Sequence, residues 1–430
     1  MSEVIEKQDF SKVLVDSIDL STFKEAKGQR ESALSTFENL GLPGNKSEEY
    51  KFTPITRAIS KAFQSQELIQ SAKGDEAALK ELLLDDYKEN AIVFVNGIYS
   101  KTLSKVSAES GVTVMPLKEA VAENQELASF EGSDPFEALN GALWADGIFV
   151  HVAKNTVAQM PLLIQHLHDA TAAKSAVHSK VVVKLDQNAS LSVVEKTDLK
   201  GDQPVFQTIS ENITVDENAT FNYYKIQNDP GQLIQVANTT ITQKKSSRTN
   251  TYTITLDGKL IRNNLNINIE GEGCESHFYG LYLTQGDTLV DNHTTVDHKQ
   301  PNSFSNELYK GLMDGKSKGV FNGKIFVRPH AQKTNAFQSN RNILLSDTAT
   351  VNTKPQLEIW ADDVKCSHGC TTGQLDDEAL FYLQSRGIPK ATAKAMLLYA
   401  FVGEVIEAIE DEGIRNLVDG LVSERLHKGY

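Results

Sequence analysis

The sequence predicts a mainly β protein with helices towards both ends, and three observations support it. Between residues 151 and 375, β-branched and aromatic residues recur in short runs, parted by turns rich in Asn, Asp, Gly and Thr. Within that stretch Leu185-Asp186-Gln187-Asn188-Ala189-Ser190-Leu191 returns thirty residues later as Val215-Asp216-Glu217-Asn218-Ala219-Thr220-Phe221, and Ser346-Asp347-Thr348-Ala349-Thr350-Val351 echoes both. After residue 376 the apolar period changes from that of strands to that of amphipathic helices. A polar turn, a small Ala and an apolar strand opening, repeated at coil-like spacing, suggest a stacked β-solenoid; a β-sandwich gives similar strands, and pattern alone leaves both open. The expected organisation is a mixed helical domain over 1–150, a β core over 151–375 and a helical domain over 376–430.

Each element has a local reason. Around Ser21–Leu40, Phe23, Ala33, Leu34, Phe37 and Leu40 fall at helical spacing, and Gly41-Leu42-Pro43-Gly44-Asn45 ends the run. Leu79–Leu84 reads as helical. Ala91–Val95 followed by Asn96-Gly97 reads as a strand entering a tight turn, and Phe136–Trp144 as a short helix. In the core, Asn263, Leu265, Ile267 and Ile269 alternate with period 2, as do Phe278, Gly280 and Tyr282; Val320–Val327 is a further strand. Asp376 is placed to cap a helix that Gly387 ends, and Pro389 opens the next. Ala393, Met396, Leu397, Ala400, Phe401, Val405, Ala408 and Ile409 form one expected apolar stripe, interrupted by Glu404. Ile414, Leu417, Val418, Leu421, Val422 and Leu426 form a second. Two stripes exceed what so short a tail buries internally, so a partner groove is expected there.

Composition excludes several function classes. A formal charge of −14 argues against a nucleic-acid binder, and the one basic cluster, Lys244-Lys245-Ser246-Ser247-Arg248, reads as a solvated turn. Three cysteines in 430 residues make no disulfide framework and fit a reducing cytoplasm. No signal peptide is visible at the start, and no apolar run is long enough to span a membrane. Gly311-Leu312-Met313-Asp314-Gly315-Lys316-Ser317 imitates a phosphate loop but is one residue short between its glycines, and a strand follows where a helix should open, so no bound nucleotide is expected. Gly315–Gly319 imitates a nucleophile elbow with the same defect. His293 and His298, beside Asp291 and Asp297, are five apart and so on opposite faces of a strand; a structural role is expected. His166 and His168 read as surface or satisfied core, and Cys274 as a small buried apolar residue.

The most informative chemistry lies in Ala361-Asp362-Asp363-Val364-Lys365-Cys366-Ser367-His368-Gly369-Cys370. In an extended strand Cys366, His368 and Cys370 share a face, offering two thiols and an imidazole, a set that suits iron, zinc or copper. Residues two apart on a strand are roughly 7 Å apart, so chelation needs a bend at Gly369 or ligands from a second chain.

With these residues the chain resembles the SufB/SufD family of scaffold subunits in SUF iron–sulfur cluster assembly. The resemblance is dense over about 260–412. It rests on Val290-Asp291-Asn292-His293-Thr294, Asn306–Gly311, Gly319–Lys324, Asn340-Arg341-Asn342, Thr353–Glu358, Ala361–Gly369 and Gly373–Asp376, with weaker matches at Gly41-Leu42-Pro43, Glu48–Thr53 and Phe94–Gly97. The Lys365–Gly369 run is similar to the SufD branch. The resemblance implies a right-handed parallel β-helix core, pairing with a SufB-like paralogue through the β-helices, and docking of the SufC ATPase on the C-terminal helices. It further implies a non-enzymatic scaffold in the cytoplasm, a homodimer when isolated, and iron or a nascent cluster held transiently with SufB. Cys366 and His368 match the residues implicated in cluster assembly; Cys370 stands where the family usually carries alanine, and Tyr50 replaces a common tryptophan. A β-helix polysaccharide hydrolase or lyase is the alternative from another class.

Overall fold

The computed structural model describes residues 10–20, 26–44, 46–69, 73–107, 109–130, 132, 134–229 and 231–429. Phe23, which the expected first helix includes, lies outside them. The chain runs α1 (Phe10–Asp16), α2 (Lys27–Leu40), α3 (Ile55–Ala62) and α4 (Glu76–Leu79), then β1 (Ala91–Val95), β2 (Ile98–Tyr99) and β3 (Val112–Pro116). Helices α5 (Leu117–Glu123) and α6 (Pro135–Leu143) follow, then β4 (Asp146–Val152), β5 (Leu162–Ala170), β6 (Ser175–Leu185), β7 (Ser190–Gly201), β8 (Val205–Val215) and β9 (Thr220–Asn228). Next come β10 (Leu233–Gln243), β11 (Arg248–Asp257), β12 (Leu260–Ile269), β13 (Glu275–Thr284), β14 (Leu289–His298) and β15 (Phe304–Met313). The solenoid closes with β16 (Lys318–Val327), β17 (Asn335–Leu344), β18 (Thr350–Ile359) and β19 (Lys365–Gly373), before α7 (Asp377–Ser385), α8 (Lys390–Glu407) and α9 (Glu412–Gly429).

The core is a β-solenoid of about eight turns, not a sandwich. Successive strands alternate between two sheets, one in the order β19-β17-β15-β13-β11-β9-β7-β5-β1-β2 and the other β18-β16-β14-β12-β10-β8-β6-β4-β3. The stacked strands are parallel and in register, so neighbouring coils exchange backbone hydrogen bonds in both directions. At the N-terminal end the pattern stops: β2 pairs antiparallel with β1, and β3 with β4. That end is therefore closed by residues of the first 150. Among the described residues no helix is long and apolar enough to cross a membrane.

The sequence repeat is the solenoid's corner. Asn155, Asn188, Asn218, Ser246, Gly273, Asn302 and Lys333 all take positive φ, between 56° and 72°. Each donates its N–H to a carbonyl one coil further on: Asn188 to Glu217 at 2.9 Å, Asn218 to Lys245 at 3.0 Å, Asn302 to Gln332 at 2.9 Å. Asn tolerates this left-handed region better than most side chains. From the second corner on, the next residue points inward into a tight space and is small: Ala189, Ala219, Ser247, Cys274, Ser303 and Thr334 are all buried, while Thr156 at the first corner is half-buried. Cys274 is thus one rung of a small-residue row, and it is buried as expected. The Ser346–Val351 echo is different. It leads from β17 to β18 and belongs to the opposite corner, with Gly286 and Gly315. The Gly311–Ser317 loop lies there too, followed by strand β16 and not by a helix.

Three apolar layers hold the molecule together. The first fills the lumen. The second joins the outer face of the β5–β19 sheet, through Tyr224, Tyr252, Ile254, Leu281 and Leu312, to Leu398, Val402, Val405, Ile414, Val418 and Val422 of α8 and α9. The third joins the outer face of the other sheet, through Phe206, Val236 and Leu260, to Phe37, Ile59, Phe63 and Phe136 of the N-terminal helices. The lumen is polar along its middle: Lys225 pairs with Glu211 at 2.8 Å and Glu195 at 3.3 Å, all fully buried. Burial and the neighbouring Glu195 push the Glu211 carboxyl up to about 7. Two carboxylates thus share one lysine.

The corner geometry is testable at Asn218. Asn218→Gly should leave stability within a few tenths of a kcal/mol, whereas Asn218→Val should cost about 1–2 kcal/mol because a β-branched residue is strained in the left-handed region. Urea unfolding midpoints decide it; equal losses for both variants would mean that the asparagine side chain, not its backbone, matters.

Candidate functional site

The sequence-singled residues sit on the last coil. Among the described residues β19 pairs only with β17, and β18 only with β16, so each sheet ends here with a free edge. Cys366, His368 and Cys370 stand in register with Ala336, Gln338 and Asn340 of β17, whose side chains are buried inside the coil below. The three therefore do share one face, the inner one, and are its last row. Nothing stacks above them. Cys366 is half-buried against the edge of the lumen core, and burial pushes its thiol up. His368 and Cys370 are exposed.

β19 runs straight through Gly369 with unbroken register, so the bend that would let one chain chelate is absent. Among the described residues no three His, Cys, Asp or Glu side chains come close enough to hold a metal ion. The donor types fit iron as cargo, since soft thiolate and imidazole bind it, but one straight strand supplies an incomplete set. A cleft of about 1010 Å³ lies elsewhere, between Leu40–Gly44, Ser47, Glu49 and Tyr50 on one side and the outer face of the β18 sheet on the other.

Under this row lies a polar group that sequence reasoning missed. Glu307 of β15, Gln338 of β17 and His368 occupy one register line. Gln338 Nε2 donates to Glu307 Oε2 at 2.7 Å. Burial pushes the Glu307 carboxyl up to about 7. A signal was available: Ser305, Glu307 and Tyr309 alternate as the inner face of a strand, and a charged residue in that phase is buried.

Asp291 and His293 build a different feature. His293 faces outward, its Nε2 3.0 Å from both Asp291 and Arg262, its Nδ1 3.4 Å from Glu49. Buried Arg262 lies 4.3 Å over the Tyr50 ring and bonds the Glu49 carbonyl and Asp291. Burial opposes ionisation of Asp291, but Arg262 and His293 outweigh it and hold the carboxyl well below its usual range. With Lys324–Glu49 and Lys354–Glu48, both 2.6 Å, these contacts strap the Glu48–Thr53 loop across β12, β14, β16 and β18. His298 points the other way, into the lumen, bonded to Ser305 at 2.9 Å. The opposite-face expectation holds. His166 and His168 are fully buried in the lumen, not on the surface, and burial lowers them to about 4 and about 3.

The C-terminal stripes are mostly spent within the chain. α9 buries Ile414, Val418, Val422 and Leu426 as its pattern indicates. α8 buries Ala393, Ala395, Leu398, Val402, Val405 and Ile406 against the β5–β19 sheet, which leaves Met396 exposed, against expectation. Glu404 does not interrupt this packing; it pairs with Lys310 at 2.6 Å and Arg341 at 3.2 Å on the sheet. What remains outside is a smaller face: Phe381, 72% exposed, and Tyr382, 56% exposed, on α7, with Met396 and Tyr399 on α8.

The three thiols should react in the order of their exposure. Timed alkylation of the native chain with iodoacetamide should modify Cys370 first, Cys366 at least several-fold more slowly, and Cys274 only after unfolding. Equal rates at Cys366 and Cys370 would contradict the half-buried placement of Cys366.

Comparison with known proteins gives one family throughout. Residues 167–401 match the model of the SUF system FeS cluster assembly SufBD core domain, and residues 9–164 that of the SufBD N-terminal region. An iron–sulfur cluster assembly SufBD family protein of Synechocystis is 32% identical, covering 89% of this chain and 87% of the relative. The iron–sulfur cluster assembly protein SufD of Escherichia coli is 30% identical over 94% of this chain and 95% of its own length. That of Bacillus subtilis is 26% identical over 97% and 99%.

Proposed function

The chain belongs to the SufB/SufD family of iron–sulfur cluster assembly proteins, on its SufD side, and we propose that it serves there as a non-enzymatic scaffold whose open solenoid end pairs with a SufB-like paralogue. The observation that carries this reading is the terminal coil, where two free strand edges lie together and the Cys366–His368–Cys370 row faces the open end. Free edges recruit strands from another chain, and a second solenoid of the same cross-section matches both at once. A second copy of this chain fits the same edges, so the isolated protein forms a homodimer.

Pairing would complete the donor set. Cys366 and His368 supply thiolate and imidazole, Cys370 a further thiol, and the paralogue the remaining ligands, for iron or a nascent cluster that the complex holds transiently and passes on. The exposed face of α7 and α8 is the docking site for a SufC-like ATPase, which supplies the nucleotide chemistry; the Gly311–Ser317 strand corner supports no nucleotide binding by this chain. Free thiols of this kind fit the cytoplasm, where thiols stay reduced. Family membership disfavours the polysaccharide-cleaving alternative.

In the reconstituted complex Cys366→Ser and His368→Ala should lower iron and acid-labile sulfide while complex formation persists. Both side chains sit on an open end, so each change should shift stability by under about 1 kcal/mol; Cys370→Ala should be milder. Normal loading in the Cys366/His368 double variant rejects the ligand role, and low loading with a collapsed melting temperature marks a merely structural one.

Docking is better tested by point changes than by deletion. Removing 376–430 would strip α8 and α9 from an apolar sheet face, where each large side chain contributes about 1.5–3 kcal/mol by burial. Phe381→Ser with Tyr382→Ser touches only exposed residues. It should weaken SufC binding at least about tenfold in titration calorimetry and spare pairing with the SufB-like partner; unchanged SufC affinity refutes the docking assignment.

A further inference from the structure

We infer that Gln338, itself held by Glu307, is a positioning residue that fixes the ring of His368. The inference rests on His368 being an interface ligand only for its purpose, not for its geometry. Glu307, Gln338 and His368 lie in one register line on three adjacent strands, all on the inner face. Neighbouring strands are about 4.8 Å apart, within reach of side-chain hydrogen bonds.

The amide of Gln338 is oriented by its lower neighbour. Its Nε2 donates to Glu307 Oε2 at 2.7 Å, and a carboxylate accepts, so the NH₂ end faces Glu307. The other end, Oε1, is buried and has no partner among the described residues. A buried amide oxygen left unbonded costs roughly 1–3 kcal/mol, so it calls for a donor. On the side away from Glu307, the in-register neighbour is His368.

Room for this amide is built in from across the lumen. Gly323 of β16 lacks a side chain where one would collide: a Cβ there would stand 2.1 Å from Gln338 Nε2 and 2.6 Å from its Cδ. The glycine and the glutamine are thus fitted to each other.

A ring N–H of His368 donating to Gln338 Oε1 satisfies the orphan and selects one tautomer. The other ring nitrogen then keeps its lone pair, as a metal ligand requires. Ligating histidines are commonly oriented in this way, and losing the orienting partner costs about 10–100-fold in metal affinity.

The test uses the full-length chain, ¹⁵N-labelled at histidine, at a pH where the rings are neutral. Long-range ¹H–¹⁵N spectra report tautomers, with His368 assigned through His368→Gln. Wild type should show His368 predominantly in one tautomer. Gln338→Met should return it to the mixture typical of free imidazole. Gly323→Ala, which displaces the amide without altering it, should do the same, and serves if the first variant folds poorly. An unchanged His368 pattern in a folded variant overturns the inference, whatever the iron data show. In the paired complex, iron should leave the Gln338→Met protein about tenfold faster than wild type. If the tautomer shifts but His368→Ala holds iron normally, positioning stands and the ligand role of His368 falls.

Discussion

A parallel solenoid satisfies the backbone of each coil with the next, and the last coil has no next. Everything distinctive about this molecule follows from how its two ends meet that constraint. At the N-terminal end the chain spends β1, β2 and β3 on the problem, and the two antiparallel pairings stop the stack. At the C-terminal end β18 and β19 are left with free edges. The C-terminal helices do not cover them. The outer face of the β5–β19 sheet, with Tyr224, Tyr252 and Tyr279 stacked 4.8 and 5.1 Å apart, is apolar and claims α8 and α9 instead. The helices lie on that apolar face, and the strand edges stay open.

The second consequence concerns the lumen. A side chain facing inward in one coil is stacked on its counterparts above and below, so polar residues can be paired within rows. Within rows Asn263 bonds Asn292 and Gln338 bonds Glu307; across the lumen Gln227 bonds Asn263, and Lys225 sits between Glu195 of its own row and Glu211 of the opposite sheet. Such networks tolerate burial only when closed. At the last coil the inner row emerges with its partners missing above. A cysteine and a histidine placed there have one side fixed by the solenoid and one side open, which is the geometry a shared cargo site needs. The same placement keeps reactive thiols out of the folded interior.

Much of this was legible in the residues, for physical reasons that also explain the failures. The Asn-Ala steps at 188–189 and 218–219 mark corners because the left-handed residue must tolerate positive φ and the next must be small; the repeat was legible there, whereas the place of Cys274 in the same row needed the stacked coils. The Ser346 echo obeyed the same composition but marks the other corner, since both need tight turns. The α9 stripe was right because a single sheet face receives it. The α8 stripe came out rotated because close packing there uses Ala395 and Gly403, which a search for large apolar residues overlooks. Least legible was the polar lumen: Thr255 and Glu307 look like surface residues until stacking supplies their partners, Gln227 and Gln338. For the site, the shared face of Cys366, His368 and Cys370 followed from strand period alone, whereas its incompleteness needed the straight course of β19 and the free edge beside it.

The central claim is that the free edges of β18 and β19 are the surface on which a second solenoid stacks. Amide hydrogen exchange reads this most directly, because edge N–H groups are open in the free chain and bonded in a paired one. It should be measured at a dilution where light scattering shows a monomer, and again with the SufB-like paralogue in excess. The account predicts fast exchange in the monomer of those N–H groups of 350–359 and 365–373 that point away from β16 and β17, and at least tenfold slower exchange of the same groups in the complex, with the closed end at β1 and β3 unchanged. Protection appearing at the N-terminal end instead, or nowhere in β18 and β19 while the complex forms, would contradict it.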